Sequence, residues 1–339
     1  MRTITAGKQK MSDDKKSQNK SGISIVIRAF NEEEHIGRLL TGIMKQTVED
    51  PEIILVDSGS TDATRAIASQ FPVRIVEITP EEFTFGRSLN KGIEAANGEI
   101  IVMISAHCYP VYPDWLEKLT APLQDEGTAA AYGKQRGGET NHFSEHQFFR
   151  NYFPDRGEPK QSHPYLHNAN AAIQKSLWEE QPYDEHLTGI EDIAWGSWAF
   201  AKGYSIAYVA EAEVIHLHEE TFSQIYNRYR REAIAMKQIF PESKFDFKDF
   251  FSHWLKKSFS DLTAAAQDGS FFRYFVGVIT FRLCQYWGTY RGYQYSGKID
   301  LQLHHQFYYP PALLSQREPG SREIDPIAYD QRVEEGEGR

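Results

Sequence analysis

Residues 1–22 are polar and Lys-rich, and at Ile23 the pattern changes abruptly to a β-branched apolar run, ISIVIRA. A run that is hydrophobic at consecutive positions predicts a strand buried on both faces. NEEEHIGRLLTGIMKQ then sets Ile36, Leu39, Leu40 and Ile43 at helical spacing, with Asn31 as the expected N-cap. The alternation repeats. EIILVD precedes a Ser/Gly turn and a second helix, VRIVEI (73–78) is a third strand, SLNKGIEAANG is a helix closed by Gly98, and EIIVMIS (99–105) is a fourth strand.

Beyond Asp114 the periodicity loosens. Residues 134–165, rich in Gly, His, aromatic and charged side chains, read as a mobile loop over a site. HNANAAIQKSLWEE returns to strand and helix, GIEDIAWGSWAFAKGY predicts a helix ended by Gly203, and SIAYVAEAEVIHLHEE predicts strands that end at two histidines. From about 221 to 295 the pattern is helical. The expected organisation is a disordered tail over 1–22, an α/β domain over 23–220, a helical region over 221–295 and an irregular polar tail over 296–339. Strands alternating with helices imply βαβ units and a mostly parallel central sheet. Ligands bind beyond the carboxyl ends of such strands, here Ala29-Phe30-Asn31, Asp57-Ser58-Gly59 and Ser105-Ala106-His107.

Composition narrows the function. The 339 residues are 40% hydrophobic, enough for a proper core, and the formal net charge of −10 argues against a nucleic-acid partner. Cys108 and Cys284 form neither a CxxC nor a disulfide framework, which fits a reducing cytoplasm. The first residues lack the apolar stretch of a signal peptide. The longest apolar run, YFVGVITF between Arg273 and Arg282, is well short of the roughly 18 residues a membrane span needs. The expected location is therefore cytoplasmic. The helical region interleaves aromatic and basic residues, as in FFRYFVGVITFRLCQYW. It reads as a cap on the core, an oligomer contact, or a peripheral contact with the inner face of a membrane.

No GxGxxG follows the first strand and no Walker A sequence is present, so a dinucleotide fold and a P-loop are unsupported. Asp57, ending the second strand, can accept a hydrogen bond from a base imide or a ribose hydroxyl; equally it can cap a turn. Glu191-Asp192 open a helix, where the macrodipole favours an ionised carboxylate able to act as a base. Taken together, IVIRAFNEEEHI, VDSGSTDAT, FGRSLNKGIEAANGEIIVMISAHCYP and GIEDIAWGSWAFAKGY resemble glycosyltransferase family 2 with its GT-A fold, in a rhamnosyltransferase-like branch, over roughly residues 23–220. The resemblance implies a nucleotide-sugar donor held by Ala29, Asn31, Glu32, Asp57, Arg87, Asn90 and Ser105. It implies catalysis by Asp192 as base with Glu191 beside it, and inversion at the anomeric carbon. Trp195 and Asn168 are the expected contacts of a glycan or lipid-linked acceptor.

One motif departs from the family. Its usual Asp-x-Asp, which holds a divalent cation on the diphosphate, is Ser105-Ala106-His107 in this chain. His216 and His218 share one side of a strand by the two-residue period and are the further expected ligands. With both carboxylates gone, the expected Mn²⁺ or Mg²⁺ is weakly bound or absent. Two rival readings follow from the same residues: a metal hydrolase built on His107, His216 and His218, and a catalytically silent nucleotide-sugar-binding protein.

Overall fold

The computed structural model describes residues 21–299 and 301–309. Three successive βαβ units come first: β1 (Ile23–Ala29), α1 (Ile36–Met44), β2 (Glu52–Asp57), α2 (Thr64–Ala68), β3 (Val73–Glu77), α3 (Phe85–Ala95) and β4 (Ile100–Ser105). Then follow β5 (Cys108–Pro110), α4 (Trp115–Thr120), β6 (Thr128–Gly137), α5 (Phe143–Tyr152), β7 (Asn170–Gln174), α6 (Lys175–Glu180), α7 (Glu191–Ala201) and β8 (Ser205–His216). The chain continues through α8 (Phe222–Ile239), α9 (Phe247–Gln267), α10 (Phe271–Tyr293) and α11 (Leu301–Tyr308).

The eight strands form one sheet in the order β3-β2-β1-β4-β7-β6-β8-β5. Pairings β1–β2, β1–β4, β2–β3 and β6–β8 are parallel, while β7 runs against β4 and β6, and β5 runs against β8. The mostly parallel sheet is therefore as expected. The consecutive apolar residues of β1 serve two layers. Ile25 and Ile27 pack with Ile36, Leu39, Leu40 and Trp115 on one face, and Val26 packs with Leu89, Ile93 and Trp195 on the other. Six strands end on one edge, at Ala29, Asp57, Glu77, Ser105, Gly137 and His216, and β7 begins there.

Three expectations need correction. Asn31 is not a helix N-cap: its φ of 55° puts it in a turn, and α1 begins only at Ile36. The segment 134–165 is not a free loop, because β6 extends to Gly137 and α5 fills 143–152. The reading of 296–339 as irregular meets α11, whose following residue, Tyr309, packs edge-on to Phe30 with centroids 4.6 Å apart. The expected tail over 1–22 and the residues after 309 lie almost wholly outside the described residues.

The C-terminal helices are held by close packing and one buried ion pair. Gly288 and Gly292 let α10 approach α8, since a Cβ at these positions would lie 2.4 Å from the Tyr226 carbonyl oxygen and 2.5 Å from that of Arg230. Arg282 of α10 donates to both carboxylate oxygens of Asp261 on α9, at 2.7 and 3.1 Å, and to the Ser144 carbonyl on α5 at 3.2 Å. Both partners are buried. Arg282→Met strands a carboxylate without its partner, so a stability loss of about 3–5 kcal/mol is expected in urea denaturation. Adding Asp261→Asn should recover much of it; a loss below about 1 kcal/mol for the single change would mean that the pair does not hold this hairpin.

Candidate active site

The carboxyl edge gathers three groups of side chains. At the β1–β2 end, Asp57 is 1% exposed. Its Oδ2 accepts from the backbone N–H of Gly59 and Ser60, while Oδ1 has no partner. The turn beside it is locked from β1, because Asn31 donates its N–H to Ser60 Oγ and accepts from the Thr61 N–H, each at 2.9 Å. Ala29 accepts from the Ser58 N–H at 3.0 Å. Tyr309 donates to the Ser58 carbonyl and closes the far side of this turn.

The second group contains the acidic pair. Ile190 sits at φ 51°, a costly conformation for a β-branched residue, and α7 starts immediately after it. Asp192 Oδ2 accepts from the Asn168 N–H at 3.0 Å and Oδ1 from the Ile193 N–H at 2.8 Å. Glu191 is tied to Arg28 of β1 at 3.2 Å and to the Asn168 amide at 3.3 Å. Burial, then the neighbouring Glu191, pushes the Asp192 carboxyl up to about 7, outweighing its two N–H donors. This corrects the expectation that the macrodipole keeps it an ordinary ionised acid. Asp192 is thus a poised acid, and Glu191, with a guanidinium beside it, is the neighbour that helps to poise it.

Three imidazoles complete the edge. His107 Nδ1 meets Glu32 Oε1 at 2.8 Å, His216 Nδ1 meets Gln135 Oε1 at 2.7 Å, and His218 Nδ1 meets Glu145 Oε1 at 2.8 Å. Each partner offers an oxygen to Nδ1, and in the tautomer with hydrogen on Nδ1 each Nε2 keeps its lone pair. One nitrogen from each ring lies within 4.8 Å of the others, and the Nε2 atoms of His216 and His218 are 3.0 Å apart. Burial holds His216 and His218 well below the usual imidazole range. For His107 burial acts downward as well, but the Glu32 carboxylate more than offsets it and the net shift is upward. Neutral lone pairs that face one another across such a gap suit a cation between them. Glu32 and Glu145 each meet the Nδ1 side of a ring, and Glu220 groups with Glu145 and His218 in a neighbouring cluster.

Several expected site residues do other work. Asn90 is fully engaged: its amide donates to the Tyr183 carbonyl and Glu185, and its oxygen accepts from the Trp178 indole and the Tyr183 N–H. It braces α3 and has no group left for a nucleotide. Arg87 is paired with Glu82 and Glu185. Trp195 is 2% exposed and gives its indole N–H to the Gln181 carbonyl, so it is core rather than an acceptor platform. Asn168, also buried, positions the two acids instead of meeting an acceptor. Ser105 sits half-buried at the end of β4, its N–H on the Ala169 carbonyl. Sequence reasoning missed Arg28, Gln135, Glu145 and His167. His167 lies with its ring 6.3 Å from that of His216, and burial followed by Arg28 and Arg228 pushes it down to about 4. A basic residue inside an otherwise apolar strand, as in IVIRA, was the available signal for Arg28.

The sequence profile of Glycosyl transferase family 2 matches residues 24–181. The O-antigen chain rhamnosyltransferase WbaN of Salmonella anatum is 31% identical over 196 residues, which is 55% of this chain and 62% of that protein. The O-antigen chain rhamnosyltransferase RfbN of Salmonella typhimurium is 26% identical over 219 residues, 61% of this chain and 70% of that protein. The alignments thus span between 62% and 70% of these relatives' own lengths. The mannosyltransferase PcManGT from Pyrobaculum calidifontis, solved in complex with GDP-Man and Mn²⁺, shares the fold with a TM-score of 0.56 at 17% identity, over 85% of this chain and 87% of that one.

Proposed function

We propose that the chain, whose residues 24–181 match the profile of glycosyl transferase family 2, moves a sugar from a nucleotide-sugar donor to a hydroxyl of a glycan or lipid-linked acceptor during polysaccharide assembly, with inversion. The observation that carries the reading is Asp192: a carboxyl at the sheet's ligand-binding edge, fixed by two backbone donors and tuned to about 7. A base works best when its pKa is near the working pH. Asp192 takes the proton of the acceptor hydroxyl while that oxygen bonds to the anomeric carbon. The carbon–oxygen bond to the diphosphate breaks, and its electron pair leaves with the nucleoside diphosphate. One displacement inverts the centre. Asn168 and the Ile190 turn hold the carboxyl in line, and Arg28 anchors Glu191 without adding to the proton traffic.

Donor recognition falls to the β1–β2 end. The unpartnered Asp57 Oδ1 is the acceptor offered to the base or ribose. Asp57→Ala is expected to weaken nucleoside diphosphate binding by about 1–3 kcal/mol, roughly 5- to 150-fold, with a smaller change in saturated turnover. Titration calorimetry checks it, and unchanged affinity would remove Asp57 from the donor site.

A divalent cation would be held by the Nε2 atoms of His107, His216 and His218. When bound, it supplies positive charge that stabilises the departing diphosphate. Three neutral nitrogens favour Mn²⁺ or another borderline metal over Mg²⁺, which prefers oxygen ligands and retains its waters. Their pre-orientation by Glu32, Gln135 and Glu145 raises the affinity above that expected from the missing carboxylates alone.

A further inference from the structure

The α9–α10 hairpin leaves large apolar side chains in the open. Phe259 is 74% exposed, Phe272 94% and Val276 72%, with Phe251, Leu255 and Leu283 also exposed. The two helices lie antiparallel: Phe250, near the start of α9, meets Trp287, near the end of α10, and Asp261 meets Arg282 further along. At about 100° per residue, Phe251, Leu255 and Phe259 follow one row along α9, and Phe272, Val276 and Leu283 follow one along α10. Counted from the contact that the helices share, both rows come out on the same side. The charge there is also segregated. Between Phe247 and Tyr293 the exposed charges are Lys248, Lys256, Arg273 and Arg291 flanking these rows, Lys257 on the opposite side of α9, and the single acid Asp268, in a chain whose net charge is −10.

We propose that this face docks on an anionic lipid bilayer. Protruding rings among basic side chains match an interface whose headgroups are negative and whose acyl boundary accommodates an uneven surface. A symmetric contact between two copies fits less well, because it sets the same lysines and arginines against one another. Among the described residues no helix is long and apolar enough to cross a membrane, so the contact is peripheral. That the bilayer carries the acceptor rests on the transferase reading; the docking does not.

Flotation of the full chain with phosphatidylcholine vesicles, with and without phosphatidylglycerol, tests it. The protein should float with the anionic vesicles at low salt, and lose binding at high salt and on neutral vesicles. Each basic residue contributes about a fivefold change in partitioning, so Lys248→Glu with Lys256→Glu should cut the bound fraction more than about tenfold. Phe259→Ser with Phe272→Ser should cut it too, with the unfolding midpoint and nucleoside diphosphate affinity unchanged. Persistent flotation of Asp192→Asn supports the docking independently of catalysis. Wild-type protein that stays unbound with both vesicles at low salt overturns the proposal, as do paired variants that float like wild type. So does a wild-type dimer, seen by light scattering, that the Phe pair dissolves without any flotation.

Discussion

Asp192→Asn is expected to lower sugar transfer by about 10²–10⁴-fold, the usual contribution of a general base, while nucleoside diphosphate affinity stays within about twofold. The amide keeps the size of the side chain and one of the two oxygens that accept from Asn168 and Ile193, so an unfolding midpoint measured beside the rate separates lost chemistry from a loosened α7 start. The pH profile gives a second, independent reading. The active form is the carboxylate, so kcat/KM for the wild type should fall as pH drops below about 7 and level off above it. An amide does not titrate in this range, and the residual rate of the variant should lose that limb. A variant with more than about a tenth of wild-type turnover, or a wild-type profile flat across neutrality, means that the proton leaves by another route.

Stripping divalent cations is expected to reduce transfer by about 10²–10³-fold, the scale on which removal of one group that stabilises developing charge is usually felt. Mn²⁺ should restore it better than Mg²⁺. His107→Ala and His218→Ala should each reproduce much of the loss, and elemental analysis after dialysis against Mn²⁺ should find less metal in both variants than in the wild type. Glu145→Gln offers a subtler check. It removes the carboxylate behind His218 without touching a ligand, and outer-shell changes of this kind typically cost about 10–100-fold in metal affinity. Full activity in chelator, unaffected by His107→Ala and with equal metal content throughout, means that the leaving group departs without metal and the three rings are structural.

The parallel half of the sheet was legible because its strands are buried on both faces and separated by amphipathic helices, a pattern that depends on local sequence alone. That Asp57, Asn31 and the His-x-His pair share one edge of the sheet was legible for a related reason: each sits at or just beyond a strand terminus, and such termini lie together in this architecture. What failed depended on distant partners. Asn90 looks like a ligand on an amphipathic helix until Trp178, Tyr183 and Glu185 are brought around it. Trp195 looks like a platform until α7 is laid over the sheet. The acceptors behind the three imidazoles come from β6, α5 and the β1–α1 turn, and no spacing rule links them. The Asp192 shift had the opposite sign from the local expectation, because burial and Glu191 outweigh the field of a single helix end.

Tyr309 and Ser58 touch across 251 residues of chain. A ribosome adding about 5–20 residues per second takes roughly 12–50 s to travel between them. For that interval the sheet can assemble and bury its core while the wall beside Asp57 is missing. The edge beside Asp57 in a nascent chain is thus open on the side that the finished protein closes, and on the proposed donor role of Asp57 full donor affinity belongs to the last stage of synthesis. Closing so long a loop costs entropy before the contact repays it, so this wall is also the part that should loosen first under mild denaturant.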